Sequence, residues 1–122
     1  MLDFNYTNEP GGFEPNEPRG VDRETIAQRV LIFMHASRHL NGSETKVLLN
    51  IMVLASSGRM DCMALSLNDL MDLTELSEGA VRRALYALEC RGVIRWTQET
   101  NRLARTYWVD YVRLGQLGAV QS

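Results

Sequence analysis

Two adjacent arginines, Arg82 and Arg83, share helical spacing with Gly79 and Tyr86, at positions i, i+3, i+4 and i+7. An arginine guanidinium can bond in bidentate fashion to guanine O6 and N7, and a glycine near a helix N-terminus lets the backbone approach a phosphate. The spacing predicts a face that binds DNA, on which Tyr86 reaches the backbone or a methyl group. We count Ser77, which opens this helix, in the same contact set. An ordinary solvated helix face is the alternative. The opposite face is apolar: Val81, Ala84, Leu85 and Leu88.

A second group of basic and polar residues surrounds the tip of a predicted β-hairpin: Arg95, Asn101, Arg102 and Arg105. A basic loop of this kind can follow phosphates or insert an arginine into the minor groove. Such a loop would raise the affinity for DNA more than it would select a particular DNA sequence. Glu99 on the same tip opposes this interpretation, and an ordinary surface hairpin is the alternative.

Other chemistries find little support in the residues. The sequence has no glycine-rich phosphate loop, no serine or cysteine placed near a histidine in a known motif, and no paired-carboxylate signature, so we expect neither an enzyme nor a cofactor. His35 and His39 are four residues apart, but a third metal ligand is missing and we predict no metal site. Cys62 and Cys90 lack the spacing of a zinc site or a disulfide framework, which favours reduced structural cysteines.

Four aromatic residues lie in or near the predicted hairpin: Trp96, Tyr107, Trp108 and Tyr111. They could form a stacking platform for single-stranded nucleic acid. Strand alternation instead places Tyr107 and Tyr111 on one face with Val109, and Trp108 on the other. We therefore expect most of them to pack the sheet against the helices.

Charge is unevenly distributed along the chain. The 122 residues carry a net charge of −2. Residues 77–113 nevertheless hold seven arginines against four acidic residues, so the C-terminal part is locally basic. No stretch approaches the ~20 apolar residues that a membrane span requires, and we expect a cytoplasmic protein without membrane contact.

The N-terminal half predicts an arm followed by two helices. Residues 1–21 contain all three prolines and an excess of acidic residues, which indicates a flexible acidic arm that could dock on a protein partner. From residue 22 to residue 39, apolar residues recur at helical spacing until Asn41-Gly42 stops the helix. A second helix is expected from an N-cap at Ser43 to about residue 56.

The C-terminal half predicts a short strand, two closely joined helices and a hairpin. Residues 62–65 form the expected strand, and Ser66 with Asp69 forms a capping box that opens the next helix. Ser77 caps the following helix, which ends at Arg91-Gly92. Residues 93–96 and 106–111 are the predicted hairpin strands.

This order of elements over residues 43–112 resembles the winged helix-turn-helix superfamily, which includes the MarR-like regulators and the N-terminal domains of phage replication-initiation proteins. The resemblance is carried by residues 67–94. They contain the pattern S-x-x-x-V-x-R-A-L-x-x-L-E-x-x-G-x-I, here Ser77, Val81, Arg83, Ala84, Leu85, Leu88, Glu89, Gly92 and Ile94.

The resemblance implies a mainly α-helical fold with a small β-sheet, in which residues 22–122 form one winged-helix domain with an added N-terminal helix. It implies a small transcriptional regulator that binds double-stranded DNA, with the helix after Ser77 in the major groove and the wing on the backbone. We expect no long helices after the wing and a homodimer through the 22–39 helix. A protein-interaction module is the alternative, as is a plasmid or phage replication or partition factor on the same fold.

Overall fold

The computed structural model of the protein describes residues 21–98 and 104–119. Its elements are helix α1 (Arg23–Ala36), helix α2 (Gly42–Ser57), strand β1 (Met63–Ser66), helices α3 (Leu67–Thr74) and α4 (Glu78–Cys90), strands β2 (Ile94–Gln98) and β3 (Ala104–Val109), and helix α5 (Tyr111–Ala119). The three strands form an antiparallel sheet in the order β1-β3-β2.

Helix α2 begins earlier than predicted. Its N-cap is Asn41, whose side chain accepts a hydrogen bond from the Glu44 backbone N–H at 2.8 Å, while the Glu44 carboxylate accepts one from the Asn41 N–H at 3.0 Å. The predicted cap at Ser43 was therefore wrong. The sequence predicts Asn41-Gly42 as the stop of the first helix, yet α1 already ends at Ala36 and Asn41 starts the next helix through this reciprocal capping box.

The caps predicted for α3 and α4 are confirmed. Ser66 and Asp69 form the reciprocal capping box, and the Ser77 hydroxyl accepts from the Ala80 N–H at 3.2 Å. At the end of α4, Gly92 adopts a left-handed conformation with φ of +76°, and the Val93 N–H donates to the Leu88 carbonyl at 3.1 Å. This is the Schellman geometry, which favours glycine at that position.

The predicted end of the last strand was wrong, because a helix starts there. Strand β3 stops at Val109, and the Asp110 carboxylate accepts a hydrogen bond from the Arg113 N–H at 3.1 Å, as an N-cap does. Tyr111 is therefore the first residue of α5 and does not share a strand face with Tyr107. Helix α5 covers nine described residues, Tyr111–Ala119.

Helix α5 lies against α1 and joins it to the rest of the domain. The Arg29 guanidinium on α1 donates to the Ser56 hydroxyl and the Asp61 carboxylate, each at 2.9 Å, and lies 4.1 Å from the centroid of the Tyr111 ring. Burial raises the pKa of the Tyr111 hydroxyl. One side chain therefore holds α1, the end of α2 and the start of α5 together.

The core lies between the helices and the inner face of the sheet. Its largest fully buried side chains come from α2, α3, α4, α5 and the start of β2: Val47, Leu48, Ile51, Leu70, Val81, Leu88, Val93, Ile94 and Leu114. The architecture is mainly α-helical with one small sheet, arranged as a winged helix-turn-helix with a helix added at its N-terminus. This confirms the predicted fold class.

Candidate nucleic-acid interface

Helix α4 presents one buried and one exposed face, as its sequence predicts. Val81, Ala84, Leu85 and Leu88 are buried, whereas Arg82, Arg83 and Tyr86 are exposed. Tyr86 has 71% of its surface accessible. The apolar stripe thus fixes the rotation of α4 and leaves its polar face directed to solvent.

The angle between α3 and α4 is held by a buried threonine that the sequence analysis missed. Thr74 is 3% exposed; its hydroxyl donates to the Leu70 carbonyl at 2.6 Å and accepts from the Leu76 N–H at 3.3 Å. The Lys46 ammonium group of α2 donates to the Thr74 carbonyl at 3.4 Å, and Glu75 turns the chain with φ of +60°. The turn of the helix-turn-helix is therefore anchored from inside the domain.

The two arginines on α4 have different local partners. The Arg82 Nε donates to the Glu78 carboxylate at 2.9 Å, in an ion pair whose side chains are 61% and 57% exposed. The Arg83 guanidinium folds back over Gly79, so that a Cβ atom at that position would lie 3.2 Å from Arg83 Nη1. Both arginines are exposed, and the ion pair of Arg82 with Glu78 is weak because it is open to solvent.

A groove separates α4 from the inner face of the sheet. On the α4 side it is lined by Arg82, Tyr86 and Glu89, and on the sheet side by Trp96 and Arg105. Its volume is about 580 Å³. Leu65, Leu85 and Tyr107 also line it, with Ser66, Leu67 and Asn68 from the start of α3. We call this space the α4–sheet groove.

The sheet side of the groove becomes more polar toward the tip of the β2–β3 hairpin, which we call the wing. Along β3, Val109 and Tyr107 are buried in the core, and Arg105, two residues closer to the hairpin tip, is only partly buried. Trp96 pairs with Tyr107 across the strands, and the Arg105 guanidinium lies 3.9 Å from the centroid of the Trp96 ring. Burial raises the pKa of Tyr107. The predicted packing role therefore holds for Tyr107, while Trp96 also supports a cation.

Arg95 lies apart from this group. It alternates with Ile94 and Trp96 on β2, and its guanidinium bonds to the Asp110 carboxylate at 3.0 Å, beside the start of α5. Together with the hydrogen bond from the Arg113 N–H, this pair holds the pKa of Asp110 below its ordinary value. The structure brings Arg82, Tyr86 and Arg105 to one groove, with Arg83 and Gly79 on the same helix and Ser77 at its cap. Asn101 and Arg102 lie outside the described residues.

Two residues that line the groove, Glu89 and Asn68, are not among those that the sequence marks as candidates. Glu89 follows Arg82 by seven positions, a spacing that places both on one side of α4. Asn68 lies in the first turn of α3 and had no motif to mark it. The pKa of Tyr86 is raised, chiefly by its hydrogen bond with the Cys90 side chain, so Cys90 continues this surface toward the end of α4.

Neither a metal-binding cluster nor a membrane-spanning helix is present among the described residues. Within residues 21–98 and 104–119 no three histidine, cysteine, aspartate or glutamate side chains are grouped to hold a metal ion. His35 is exposed on α1, and His39 lies in the turn that follows it. None of the described helices has the length and apolar character needed to cross a membrane.

Comparison with known proteins gives matches among solved structures. No family model matches the chain, and no curated protein sequence is significantly similar to it. HlyU from Vibrio cholerae, in its reduced form, is similar over 80% of this chain and 88% of its own, with 16% identity and a TM-score of 0.48. NolR from Sinorhizobium fredii is similar over 88% and 93%, with 16% identity and a TM-score of 0.48. A MarR family transcriptional regulator from Streptomyces coelicolor, in complex with DNA, is similar over 80% and 65%, with 16% identity and a TM-score of 0.44.

Proposed function

We propose that the protein binds double-stranded DNA and acts as a small transcriptional regulator, with α4 in the major groove and the β2–β3 wing on the flanking backbone. The observation that carries this proposal is the exposed Arg82 and Arg83 pair on the second helix of the helix-turn-helix. A helix in this position reaches base edges with residues of its first turns. Arginine is the side chain best suited to guanine.

A carboxylate on α4 competes with DNA for one of the two arginines. Glu78 competes with DNA for Arg82, because its carboxylate already accepts the Arg82 Nε–H at 2.9 Å. The pair is solvent-exposed, so breaking it costs about 1 kcal/mol or less. A phosphate or a guanine can therefore displace Glu78, and neutralising Glu78 should strengthen binding.

Fluorescence anisotropy of a labelled mixed-sequence duplex, titrated at several salt concentrations, tests the proposal. The wild type should bind saturably, with an affinity that falls as salt rises because phosphates recover their counterions. Arg82→Ala/Arg83→Ala should bind at least tenfold more weakly, since each lost charge-assisted hydrogen bond is worth about 1.5–3 kcal/mol. Glu78→Gln should bind more tightly than the wild type.

The matched control removes two arginines from another surface. Arg23→Ala/Arg38→Ala changes the net charge by the same amount, and both residues are exposed at the two ends of the α1 region. Because this region is also the proposed dimer surface, sedimentation equilibrium must first show that the variant keeps the oligomeric state of the wild type. This variant should retain most of the affinity. If both double variants lost the same DNA affinity, the loss would be explained by net charge alone. If the wild type did not bind DNA at low salt, the proposal would be rejected.

We propose further that the protein is a homodimer through the 22–39 helix. Packing of α5 covers part of α1, while Ile26, Val30, Leu31 and Met34 keep between 42% and 58% of their surface exposed. An exposed apolar stripe of this kind marks an interaction surface. Sedimentation equilibrium should give a dimer for the wild type and a monomer for Val30→Glu/Met34→Glu, with unchanged helix content. A monomeric wild type at high concentration would reject this part.

A role in plasmid or phage replication or partition is the nearest variant of the proposal, because it uses the same contacts with DNA. Footprinting on fragments of the native DNA distinguishes the two roles. Protection next to a promoter supports a regulator, and protection of repeated sites at an origin or a partition locus supports the variant.

A protein-interaction module is the second candidate. The observation that favours it is the exposure of Leu49 and Val53 on α2 and of Leu73 on α3, in a chain whose net charge is −2. Such a module would depend on apolar surface and not on the α4 arginines. DNA binding that is absent, or indifferent to Arg82 and Arg83, would favour this candidate. The predicted partner contact of the N-terminal arm lies in residues outside those described.

A further inference from the structure

We propose that Trp96 is a positioning residue that holds the Arg105 guanidinium in place to bind a DNA phosphate at the mouth of the α4–sheet groove. This inference rests on the proposed DNA binding and adds a residue to it. The observation behind it is the 3.9 Å distance from the Arg105 guanidinium carbon to the centroid of the Trp96 ring.

The strand register explains why these two side chains meet. Trp96 lies directly opposite Tyr107, and Gln98 directly opposite Arg105, so Trp96 and Arg105 are diagonal neighbours on the inner face of the sheet. Long side chains reach across such a diagonal. The base of Trp96 is packed against the core, which fixes its ring, and the ring then restricts the arginine above it.

Restriction matters because a free arginine loses rotamer freedom when it binds. An arginine side chain carries about 2 kcal/mol of rotamer entropy, and part of this is given up before binding if a ring already holds the guanidinium. The Arg105 guanidinium also has the Tyr107 hydroxyl as a hydrogen-bond partner, and its stacking on Trp96 leaves the remaining N–H edges directed sideways, where they can donate to phosphate oxygens. Pre-organisation of this type raises affinity by lowering the cost of ordering.

The surroundings favour a phosphate over a base edge as the ligand. Arg105 and Arg82 line the same groove from opposite sides, so two positive charges face the space between α4 and the sheet. Glu89 is the opposing carboxylate in the lining. With α4 in the major groove of DNA, the sheet side of the α4–sheet groove would lie over the adjoining sugar-phosphate backbone. Contacts with that backbone position the protein and carry no sequence information.

The chain supplies a matched control on the opposite face of the sheet. Trp108 lies directly across from Arg95, so it also has an arginine as its strand neighbour. That arginine is already bound to Asp110, away from the α4–sheet groove. Trp108→Leu therefore removes a partly buried tryptophan from the same hairpin without touching the proposed contact.

The test is DNA affinity and its salt dependence, measured by anisotropy for the full chain and its Trp96→Leu, Trp96→Phe, Arg105→Gln and Trp108→Leu variants. Arg105→Gln should weaken binding about tenfold or more and reduce the slope of log K against log salt by about 0.9, which is the loss of one phosphate contact. Trp96→Leu should weaken binding about two- to fivefold, the equivalent of an exposed cation–π contact. Trp96→Phe should restore most of that loss, and Trp108→Leu should bind like the wild type.

The double variant Trp96→Leu/Arg105→Gln separates positioning from a structural role. If Trp96 acts through Arg105, the double variant binds no more weakly than Arg105→Gln alone. Additive losses, or equal losses for Trp96→Leu and Trp108→Leu, would overturn the positioning role. An unchanged salt slope in Arg105→Gln would overturn the phosphate contact while the Arg82 and Arg83 result still stands. Only a failure of the wild type to bind DNA removes both proposals together.

Discussion

Two glycines on the same helix should respond in opposite directions to the same substitution. Gly115 and Gly118 both lie in α5, three residues apart. A Cβ atom at Gly115 would meet nothing within 4 Å. At Gly118 it would lie 3.0 Å from the His35 Cβ and 3.1 Å from the Ala36 backbone nitrogen of α1.

The expected free energies follow from these distances. Alanine in a helix interior is better than glycine by about 1 kcal/mol, so Gly115→Ala should stabilise the fold by about that amount. Gly118→Ala gains less, because it lies in the last turn of the described helix, and it forces α1 and α5 apart by a few tenths of an ångström. Overpacking of this kind costs about 1–3 kcal/mol, so Gly118→Ala should be about 1–2 kcal/mol less stable than the wild type.

Urea denaturation followed by circular dichroism measures both variants on one scale, and the difference between them should be about 2–3 kcal/mol. The two substitutions share the same change in the unfolded chain, which therefore largely cancels from the comparison. Equal effects of the same sign would show that α5 does not pack closely on α1. The reasoning about the α1–α5 contact would then fail.

Three further predictions concern the connections around this helix pair. Gly58→Ala should destabilise the fold by about 1–3 kcal/mol in urea denaturation, because its Cβ would lie 2.5 Å from the Cys62 carbonyl oxygen; a neutral result would contradict that packing. Arg29→Met should cost about 2 kcal/mol, and a double-mutant cycle with Asp61→Asn should show coupling between the two residues; strict additivity would count against their pairing. The pKa of Asp110 is held low by its hydrogen bond from the Arg113 N–H and by Arg95, so its contribution is fully present above the pKa of an unfolded aspartate, about 3.9, and is lost as the pH falls through the lower folded value. Thermal melts between pH 6 and pH 2 should therefore show a steeper loss for the wild type than for Asp110→Asn, and parallel curves would refute it.

The helix-turn-helix could be predicted from sequence because its signals are local. Ser66, Asp69 and Ser77 act on backbone groups within three residues, and the α4 stripe repeats at helical spacing. Short-range hydrogen bonds and periodicity are the two features that a sequence displays directly. They account for the confirmed caps and for the correct orientation of α4.

The errors arose where two local interpretations compete. Asn41-Gly42 fits both a helix stop and an N-cap, and the buried Glu44 decides for the cap by bonding back to the Asn41 N–H. Residues 106–109 and Tyr111 have β propensity, yet Asp110 between them caps a helix whose apolar residue Leu114 is buried in the core. In the first case a local capping box selects the N-cap, and in the second the burial of Leu114 in the core, a tertiary contact, selects the helix.

Hydrogen-bond partners that are distant along the chain could not be predicted from the sequence. Nothing near Arg95 in the chain indicates that Asp110, fifteen positions later, will accept its hydrogen bonds. Thr74 and Lys46 are likewise brought together only by the packing of α2 on α3. Such pairs depend on strand register and helix angle, which a single sequence does not specify.

The excess of arginine in residues 77–113 therefore has two uses. Arg91 donates to the His39 carbonyl at 2.6 Å, Arg95 bonds to Asp110, and the Arg113 guanidinium lies against Gly92, so these three arginines hold the ends of α4, the sheet and α5 in place. Arg82, Arg83 and Arg105 lie instead on α4 and the wing side of the groove. Arg95 must give up a bond to a carboxylate that is only 19% exposed before it can bind a phosphate, whereas Arg82 gives up only an exposed ion pair with Glu78. Under the proposed function, the local charge of residues 77–113 thus indicates the region of the interface, and the partner of each guanidinium determines which arginines we expect to bind DNA.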